Sequence, residues 1–357
     1  MVVYILIAIL FFGLLIALHE FGHFIVAKLC GVKVNEFSIG MGPQLLHRQG
    51  GETEYSLRLL PIGGYCAMEG EEEGASADPR AFPNKPWWKR LLILLAGVTM
   101  NFLTGFVIIL ALLATQMQPI LSPVVTGFMP ESALEGGLME GDRVRSVNGH
   151  AIYLQEDVSF FLNRSTGDTL NLVVERGGEK LELTLPRQPK TYDVNGESKL
   201  MYGVYMAREE ETTPLTLLKT AWFQAVDYVR LVWISLGDLV TGAVGLREMS
   251  GPIGIMGAVG EAGQSGAAAA GVGGAMYNIL SLVSFISINL AVMNLLPIPA
   301  LDGGQILFMA VNGVYTGFTR RKMNPKYLGW VSMAGFACLL AFMLVVTVSD
   351  VLKWFGA

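Results

Sequence analysis

The chain has 357 residues, of which 52% are hydrophobic and only 15% are charged. Soluble domains usually carry about 25% charged residues, so the composition indicates a membrane protein with one water-soluble insert. The net charge of −5 is too mild to suggest a nucleic-acid partner. Three cysteines without a CxxC pair indicate neither a disulfide framework nor a cysteine-type zinc site.

The first predicted element, within residues 1–30, is a membrane-spanning helix. Its apolar run, 2–29, has about the length that a bilayer requires. The run has no basic n-region and continues past any plausible cleavage point into charged residues. We therefore expect it to stay attached as a membrane anchor rather than be removed as a signal peptide.

The sequence HEFGH, residues 19–23, lies inside this first span. On a helix, His19 and His23 lie on one face, so both imidazoles can bind one Zn²⁺ while Glu20 deprotonates a water. Ionisable groups within a membrane are costly and usually mark function. The pattern therefore predicts two zinc ligands and a general base. The alternative is a structural histidine pair that is hydrogen-bonded to neighbouring helices.

Residues 31–90 are predicted to form a cytoplasmic or membrane-re-entrant β-loop. The stretches VNEFSIG and TEYSLRLL have the pattern of short strands, with GMGP as a turn between them. Because a strand edge can pair with an extended peptide, we expect part of this loop to bind substrate. The residues predicted to line the substrate are Ser38, Ile39, Gly40 and Met41. The alternative is an ordinary cytoplasmic hairpin.

A second apolar span is predicted at 91–116, and a long insert follows it. Residues 120–207 alternate between apolar and polar side chains, with turn signals at GDRV, VNGH and ERGGEK. This segment is predicted to be a small β-rich soluble domain.

Residues 214–277 are predicted to hold an amphipathic helix and a loop. On a helix at 214–241 the charged residues fall within one arc, which favours a helix in the membrane interface over one that crosses it. The Gly/Ala-rich stretch 257–275 is predicted to be a flexible or closely packed loop.

The third and fourth spans are predicted at 278–304 and 328–350. The sequence MNLLPIPALDGGQ interrupts the third span with two prolines, which membrane helices tolerate only where the freed carbonyls find partners. Asp302 in this break can turn its carboxylate toward a metal, and we predict that it is the third zinc ligand. The alternative role is a helix cap. The other two histidines, His47 and His150, are predicted to be solvated surface residues.

Basic residues set the predicted orientation. Lys85, Lys89 and Arg90 precede the second span, and further basic residues, from Arg320 to Lys326, precede the fourth. The positive-inside rule then puts these loops in the cytoplasm and the insert and both termini outside. The HEFGH motif and Asp302 then meet at one depth, toward the cytoplasmic side, provided that 214–241 does not cross the membrane.

These motifs together resemble the site-2 protease family of intramembrane zinc metalloproteases, most closely its bacterial regulator-of-sigma-E protease branch. HEFGH matches the first family motif and NLLPIPALDGG the second. The stretches FSIGMGP, SLRLLPIGGY and PWWKRLLILLAGVTMNF are similar to segments that follow the first motif. VVTGFMPESALEGGLMEGDRVRSVNGHAI resembles one bacterial PDZ domain, where some relatives have two. The second span reads AGV where the family often has AGP.

The resemblance implies that His19, His23 and Asp302 bind zinc and that Glu20 is the base. It also implies that Asn294 contacts substrate or stabilises the oxyanion, and that the β-loop dips into the membrane. The expected fold is a polytopic α-helical membrane protein with four transmembrane helices, a membrane-associated β-hairpin loop and an inserted extracytoplasmic PDZ domain.

The expected function is intramembrane proteolysis of transmembrane segments in a bacterial plasma membrane. Expected substrates are an anti-sigma factor first cut by another protease, or leftover signal peptides. The PDZ-like domain would either exclude bulky substrates or only dock them. Two alternatives are a catalytically inactive PDZ scaffold with structural zinc and a metal transporter. Glu20 weighs against the first, and a single polar cluster at one depth weighs against the second.

Overall fold

The computed structural model describes residues 2–71, 76–115, 120–194, 197–206, 208–245, 250–320 and 325–354. The chain divides into two compact units. One unit comprises Met1–Leu112 and Ala225–Ala357, and the other comprises Leu113–Gln224.

The described part of the chain contains seven α-helices. They are α1 (Val2–Leu29), α2 (Trp87–Thr115), α3 (Gln155–Arg164), α4 (Pro214–Thr241), α5 (Pro252–Asn294), α6 (Asp302–Thr319) and α7 (Pro325–Trp354).

Twelve β-strands are present in the same described ranges. They are β1 (Val34–Gly50), β2 (Thr53–Met68), β3 (Ile120–Ser122), β4 (Gly127–Phe128), β5 (Arg143–Val147), β6 (His150–Ala151), β7 (Thr169–Arg176), β8 (Glu179–Pro186), β9 (Lys190–Val194), β10 (Glu197–Met201), β11 (Val204–Tyr205) and β12 (Arg208–Glu210).

Among the described residues, four helices are long and apolar enough to cross a membrane: Val3–Leu29, Trp87–Thr115, Ile253–Asn294 and Gly329–Lys353. Each contains most of one predicted span. The predicted amphipathic segment is helical, as α4, and is not among the four candidates. Its position in the membrane interface stays a prediction.

The predicted loop at 257–275 is wrong, because most of this stretch is helical within α5. The backbone leaves helical geometry at Ala270 and Gly271 (φ 63°, ψ −149°), so α5 consists of two arms. The arms fold against each other: the carbonyl oxygen of Gly266 occupies the space of a Cβ on Gly274. The small residues that suggested a loop therefore allow close helix packing.

The predicted third span also differs from the structure. Its helix ends at Asn294, residues 295–301 form a turn, and Asp302 begins the separate helix α6. The two prolines of this turn cannot continue the helix in regular geometry, which explains the break.

β1 and β2 form one sheet, in which each strand bends to give two segments. Residues 36–39 pair with 64–67 on one side and with 54–57 on the other, and 44–50 pair with 53–58. The segments thus lie in the order 44–50, 53–58, 36–39 and 64–67. The chain does turn at the predicted GMGP, where Gly40 (φ 86°) and Gly42 (φ 84°) adopt left-handed backbone angles.

The sheet lies along α1. At one end the carbonyl oxygen of Pro61 is packed so closely on Gly13 that a Cβ there would overlap it. At the other end Lys28 Nζ bonds Glu52 Oε1 at 2.7 Å. Gly13 and Lys28 are about 22 Å apart along the helix. Since Gly13 is in the middle of the apolar run, this arrangement agrees with a sheet that reaches membrane depth.

The second unit is built around an antiparallel sheet with the order β6-β5-β7-β8, and smaller pairs join β3 to β12 and β4 to β11. Its core includes Leu134, Val144, Leu170 and Val174, each no more than 1% exposed. The segment is therefore β-rich, as predicted, while its assignment as a PDZ domain stays a prediction.

Candidate metal centre

The three predicted ligands converge at one point. The Nε2 atoms of His19 and His23 lie 3.1 Å apart, and they lie 3.2 and 3.4 Å from Asp302 Oδ2. Ligand atoms around a tetrahedral Zn²⁺ at 2.0–2.1 Å are about 3.3 Å from one another. The spacing of the three atoms thus suits one zinc ion.

The chemistry of the donor set also fits zinc. Asp302 Oδ2 is buried and has no hydrogen-bond partner among the described residues, which leaves an anionic lone pair facing two imidazole nitrogens. Two histidines and one carboxylate form a three-ligand set of the kind that catalytic zinc sites use, with the fourth position open to water or substrate. These residues are therefore able to hold a catalytic zinc ion.

Local sequence explains how each ligand reaches the site. The two histidines are one helical turn apart on α1, while Asp302 starts α6 after the proline turn. Gly303 and Gly304 follow it, and a Cβ on either would overlap backbone atoms of Leu295 or Ile298. The two glycines thus let the chain fold tightly enough to direct Asp302 to α1.

The backbone of α2 at Gly97 packs directly against the imidazole rings of His19 and His23. A Cβ there would overlap His23 Nε2 and lie 2.7 Å from His19 Cε1. Gly22 on α1 faces α2 in the same way, since a Cβ on Gly22 would lie 2.5 Å from the carbonyl oxygen of Ala96. The close approach of the two helices explains why glycine is needed at both positions, a requirement that no local sequence pattern reveals.

Each imidazole is held by its second nitrogen. His23 Nδ1 donates to the carbonyl oxygen of Ile93 at 2.8 Å, and His19 Nδ1 faces the carboxamide of Asn101 at 3.3 Å. Both partners belong to α2. Such contacts fix the plane and tautomer of a metal-binding histidine.

Glu20 is held by the sheet. Its Oε2 accepts a hydrogen bond from the backbone N–H of Cys66 at 3.1 Å. Cys66 belongs to the outer segment 64–67, so Glu20 lies between the predicted metal ligands and one edge of the sheet. The sequence placed Glu20 next to the ligands but gave no sign of this backbone contact.

The structure corrects one part of the predicted substrate strand. Ser38 is fully buried, and Ser38 and Ile39 have strand partners on both sides, so neither can accept an added strand. The outer segments are 44–50 and 64–67, and the second of these is beside Glu20. Gly40 is buried, whereas Ile39 and Met41 expose 44% and 51% of their surface. Side-chain contact of these residues with substrate remains a prediction.

The remaining predicted residues are found as follows. Asn294 is the half-buried last residue of α5, and its role remains a prediction. His47 and His150 are exposed, as expected of surface residues.

A further acidic residue near the centre was missed. Glu71 is partly buried and lies close enough to Gln305 of α6, His23 and Glu20 for these groups to affect its pKa. Burial raises the pKa of Glu71 to about 7. The sequence showed it only as part of an acidic cluster, whose members Glu72 and Glu73 lie outside the described residues.

Comparison with known proteins gives consistent matches over nearly the whole chain. Residues 7–342 match the model of peptidase family M50. The chain is 37% identical over 349 residues to a protein of Clostridium acetobutylicum that is provisionally named a zinc metalloprotease, with 97% of each chain covered. It is 29% identical to the zinc metalloprotease RasP of Geobacillus kaustophilus, with 96% of each covered. It is 27% identical to the regulator of sigma-W protease RasP of Bacillus subtilis, with 97% of this chain and 98% of that protein covered.

Proposed function

The chain belongs to peptidase family M50, and from this premise we propose that it cleaves transmembrane segments of other membrane proteins. It is a metalloendopeptidase whose cofactor is Zn²⁺, as in the relatives named above. The single observation that carries the proposal is the convergence of His19, His23 and Asp302 beside Glu20, on a helix apolar enough to span a membrane.

The residues have separate chemical roles. Zn²⁺ held by the two histidines and Asp302 would polarise the scissile carbonyl and make water more acidic. The Glu20 carboxylate accepts the proton of the attacking water and passes it to the leaving amine. The Cys66 N–H keeps the carboxylate of Glu20 directed toward this site.

The substrate has to be extended when it is cut. A helix hides its peptide carbonyls in its own hydrogen bonds, so a transmembrane substrate must unwind locally. The outer segment 64–67 is beside Glu20 and offers a strand edge at which an unwound peptide can pair. We propose this edge in place of Ser38 and Ile39, with the side chains of Ile39 and Met41 and the carboxamide of Asn294 as further contacts.

The β-rich domain at 120–207 is proposed to be a PDZ domain outside the cytoplasm that excludes bulky substrates. On this view, deleting residues 122–207 permits cleavage of substrates that still carry a folded external domain. An intact-substrate assay without new cleavage would instead support a docking role.

The proposed setting is a bacterial plasma membrane, with the active site toward the cytoplasmic side. The B. subtilis relative is named a regulator of a sigma factor. This name supports an anti-sigma factor, first cut by another protease, as one substrate class. Leftover signal peptides are a second class, since they are also short transmembrane segments.

The decisive experiment pairs metal content with cleavage. Wild type, Glu20→Gln and the exposed control Glu261→Gln are purified in detergent, and zinc per chain and cleavage of a model transmembrane substrate are measured. We expect full zinc in all three and loss of cleavage only in Glu20→Gln. If Glu20→Gln still cleaves, Glu20 is not the base. If wild type binds zinc but cleaves no transmembrane substrate, the scaffold with structural zinc is the better account.

A further inference from the structure

Asn101 of α2 has an unusual environment. It is 1% exposed, and its carboxamide nitrogen Nδ2 faces Nδ1 of His19 at 3.3 Å. Its carboxamide oxygen Oδ1 is buried and has no hydrogen-bond partner in the part of the chain that the structure describes. A buried oxygen without a donor is costly, so this arrangement calls for a physical reason.

The metal site supplies the reason. His19 Nε2 is directed at His23 Nε2 and Asp302 Oδ2, so this nitrogen is the one that binds metal. A neutral imidazole that binds metal through Nε2 carries its proton on Nδ1, which is then a donor. An amide nitrogen is a donor too and does not suit it as a partner. Turning the carboxamide of Asn101 by 180° brings its Oδ1 to His19 Nδ1. The oxygen then has a donor, and the Nδ1–H of His19 has an acceptor.

We propose that Asn101 is a positioning residue, whose Oδ1 accepts the Nδ1–H of His19 and thereby fixes the tautomer and ring plane in which His19 binds zinc. His23 has a corresponding contact, from Nδ1 to the carbonyl oxygen of Ile93. The two histidines would thus be oriented by one helix, one through a backbone oxygen and the other through a side chain. The inference rests on the zinc site of the proposed function and is independent of the substrate.

The backbone around Asn101 is well fixed. Ser287 of α5, which is fully buried, donates from Oγ to the backbone carbonyl of Asn101 at 2.7 Å. One turn further along α2, a Cβ on Gly105 would lie 2.8 Å from the carbonyl oxygen of Ser284. The close backbone packing at Gly105 holds α2 against α5 even without the Ser287 hydroxyl, so the carboxamide of Asn101 has a defined position beside His19.

Three variants separate the proposed role from simple packing. Asn101→Leu keeps the approximate volume but removes the acceptor, and Asn101→Asp keeps an acceptor oxygen. Ser287→Ala removes a contact to the backbone of Asn101 but leaves its side chain, so it is the matched control. Zinc affinity is measured by competition with a chelator on the full chain in detergent.

We expect Asn101→Leu to bind zinc about 10- to 100-fold more weakly, the range for loss of a partner of a metal-binding histidine. We expect Asn101→Asp and Ser287→Ala to remain within about threefold of wild type. Equal zinc affinity in Asn101→Leu and wild type would overturn the proposal. So would an Asn101→Asp variant as weak as Asn101→Leu, because the acceptor would then not matter.

A second measurement does not depend on the folding of Asn101→Leu. The chain has only four histidines, so selective ¹⁵N-histidine labelling gives few imidazole signals. In the zinc-loaded wild type, we expect a slowly exchanging, hydrogen-bonded Nδ1 proton on His19, retained in Asn101→Asp. A His19 that lacks a proton on Nδ1 would refute the inference. Neither measurement involves cleavage, so failure here is distinct from failure of the proposed protease activity.

Discussion

The backbone N–H of Cys66 lies 3.1 Å from Oε2 of Glu20 and donates a hydrogen bond to it. Glu20 is on α1, while Cys66 is on the outer segment of a sheet that packs along that helix. Glu20, the proposed base, is therefore oriented by an element separate from the helix that carries the histidines. The position of the sheet and the activity of the base should depend on each other.

This relationship can be tested at Cys66. Cys66→Pro removes the N–H that donates a hydrogen bond to Glu20. An outer strand tolerates proline at a position whose N–H points away from the neighbouring strand. We expect cleavage to fall by about tenfold or more with zinc content unchanged, since a charge-assisted hydrogen bond contributes about 1.5–3 kcal/mol. The control Cys66→Ala keeps the N–H and should cleave like wild type. Equal loss in both variants would mean that the thiol side chain matters instead.

A second test concerns the packing of Gly97 against the two histidines. Gly97→Ala would place a methyl group in overlap with His23 Nε2, and the backbone of α2 cannot easily withdraw. We expect this variant to purify with well under one zinc per chain and to lose cleavage. The control is Gly237→Ala on α4, where no atom lies within 4 Å of the new methyl. Full zinc occupancy in Gly97→Ala would show that the histidines can move aside.

A third test concerns the turn that delivers Asp302. Gly303→Ala overlaps the carbonyl groups of Leu295 and Leu296, whereas Gly313→Ala on the same helix meets nothing within 4 Å. Overpacking of this kind costs about 1–3 kcal/mol. We expect Gly303→Ala to lower both the thermal midpoint in detergent and zinc occupancy, and Gly313→Ala to change neither. Unchanged zinc in Gly303→Ala would argue that the turn is not what positions Asp302.

A fourth test concerns the substrate path. Met41 lies against Gly63, just before the outer segment 64–67, while Leu46 is on the opposite outer segment. Both side chains are exposed. With a photo-crosslinking residue in the inactive Glu20→Gln background, we expect a transmembrane substrate to crosslink at position 41 and not at 46. The reverse result would place the substrate at the other edge.

A fifth test concerns pH and the β-rich unit. Asp142 is fully buried and bonded to Arg176 at 2.7 Å. Burial opposes its ionisation, but the hydrogen bonds and charge of Arg176 outweigh burial and hold the pKa of Asp142 below its ordinary value. A depressed carboxyl pKa stabilises the folded state above the unfolded pKa of about 3.8, and the contribution disappears as the pH falls below that value.

Hydrogen exchange of peptides from β5 and β7, corrected for intrinsic rates, measures this contribution. Asp142→Asn should weaken protection at pH 5–7, and the difference from wild type should narrow below pH about 4. The exposed Asp193→Asn is the control and should match wild type. A difference that persists undiminished at pH 3 would exclude ionisation of Asp142 as its cause.

Local patterns were sufficient to predict the helix that carries the HEFGH motif. His19, Glu20 and His23 lie within five residues of one helix, so their relation follows from helical geometry alone. Asp302 was also predicted, from the proline-containing break in the third span, although the separate helix that it begins was not. The turn at 295–301 depends on close backbone contacts of Gly303 and Gly304, which single-sequence patterns do not reveal.

Long-range contacts explain the other differences. The two arms of α5 are stable because Gly266 and Gly274 let their backbones meet, whereas glycine by itself disfavours a helix. Ser38 lies inside the sheet because strand segments from two other parts of the chain pair with its own segment. The alternation of apolar residues predicts that a strand forms, but it does not predict which strands pair with it. The proposed role of Asn101 likewise depends on the contact between α2 and α1, which places it beside His19.

The outer segment 44–50 has a consequence for the surrounding lipid. It is exposed along its length, includes Gln44, Arg48 and Gln49, and forms one edge of the sheet whose residue Pro61 touches the middle of α1. Hydrocarbon chains cannot satisfy the polar backbone groups of an open strand edge, but water and lipid headgroups can. We therefore expect headgroups to be drawn inward along this side of the molecule, so that the local bilayer is thinner than the usual hydrocarbon thickness of about 30 Å.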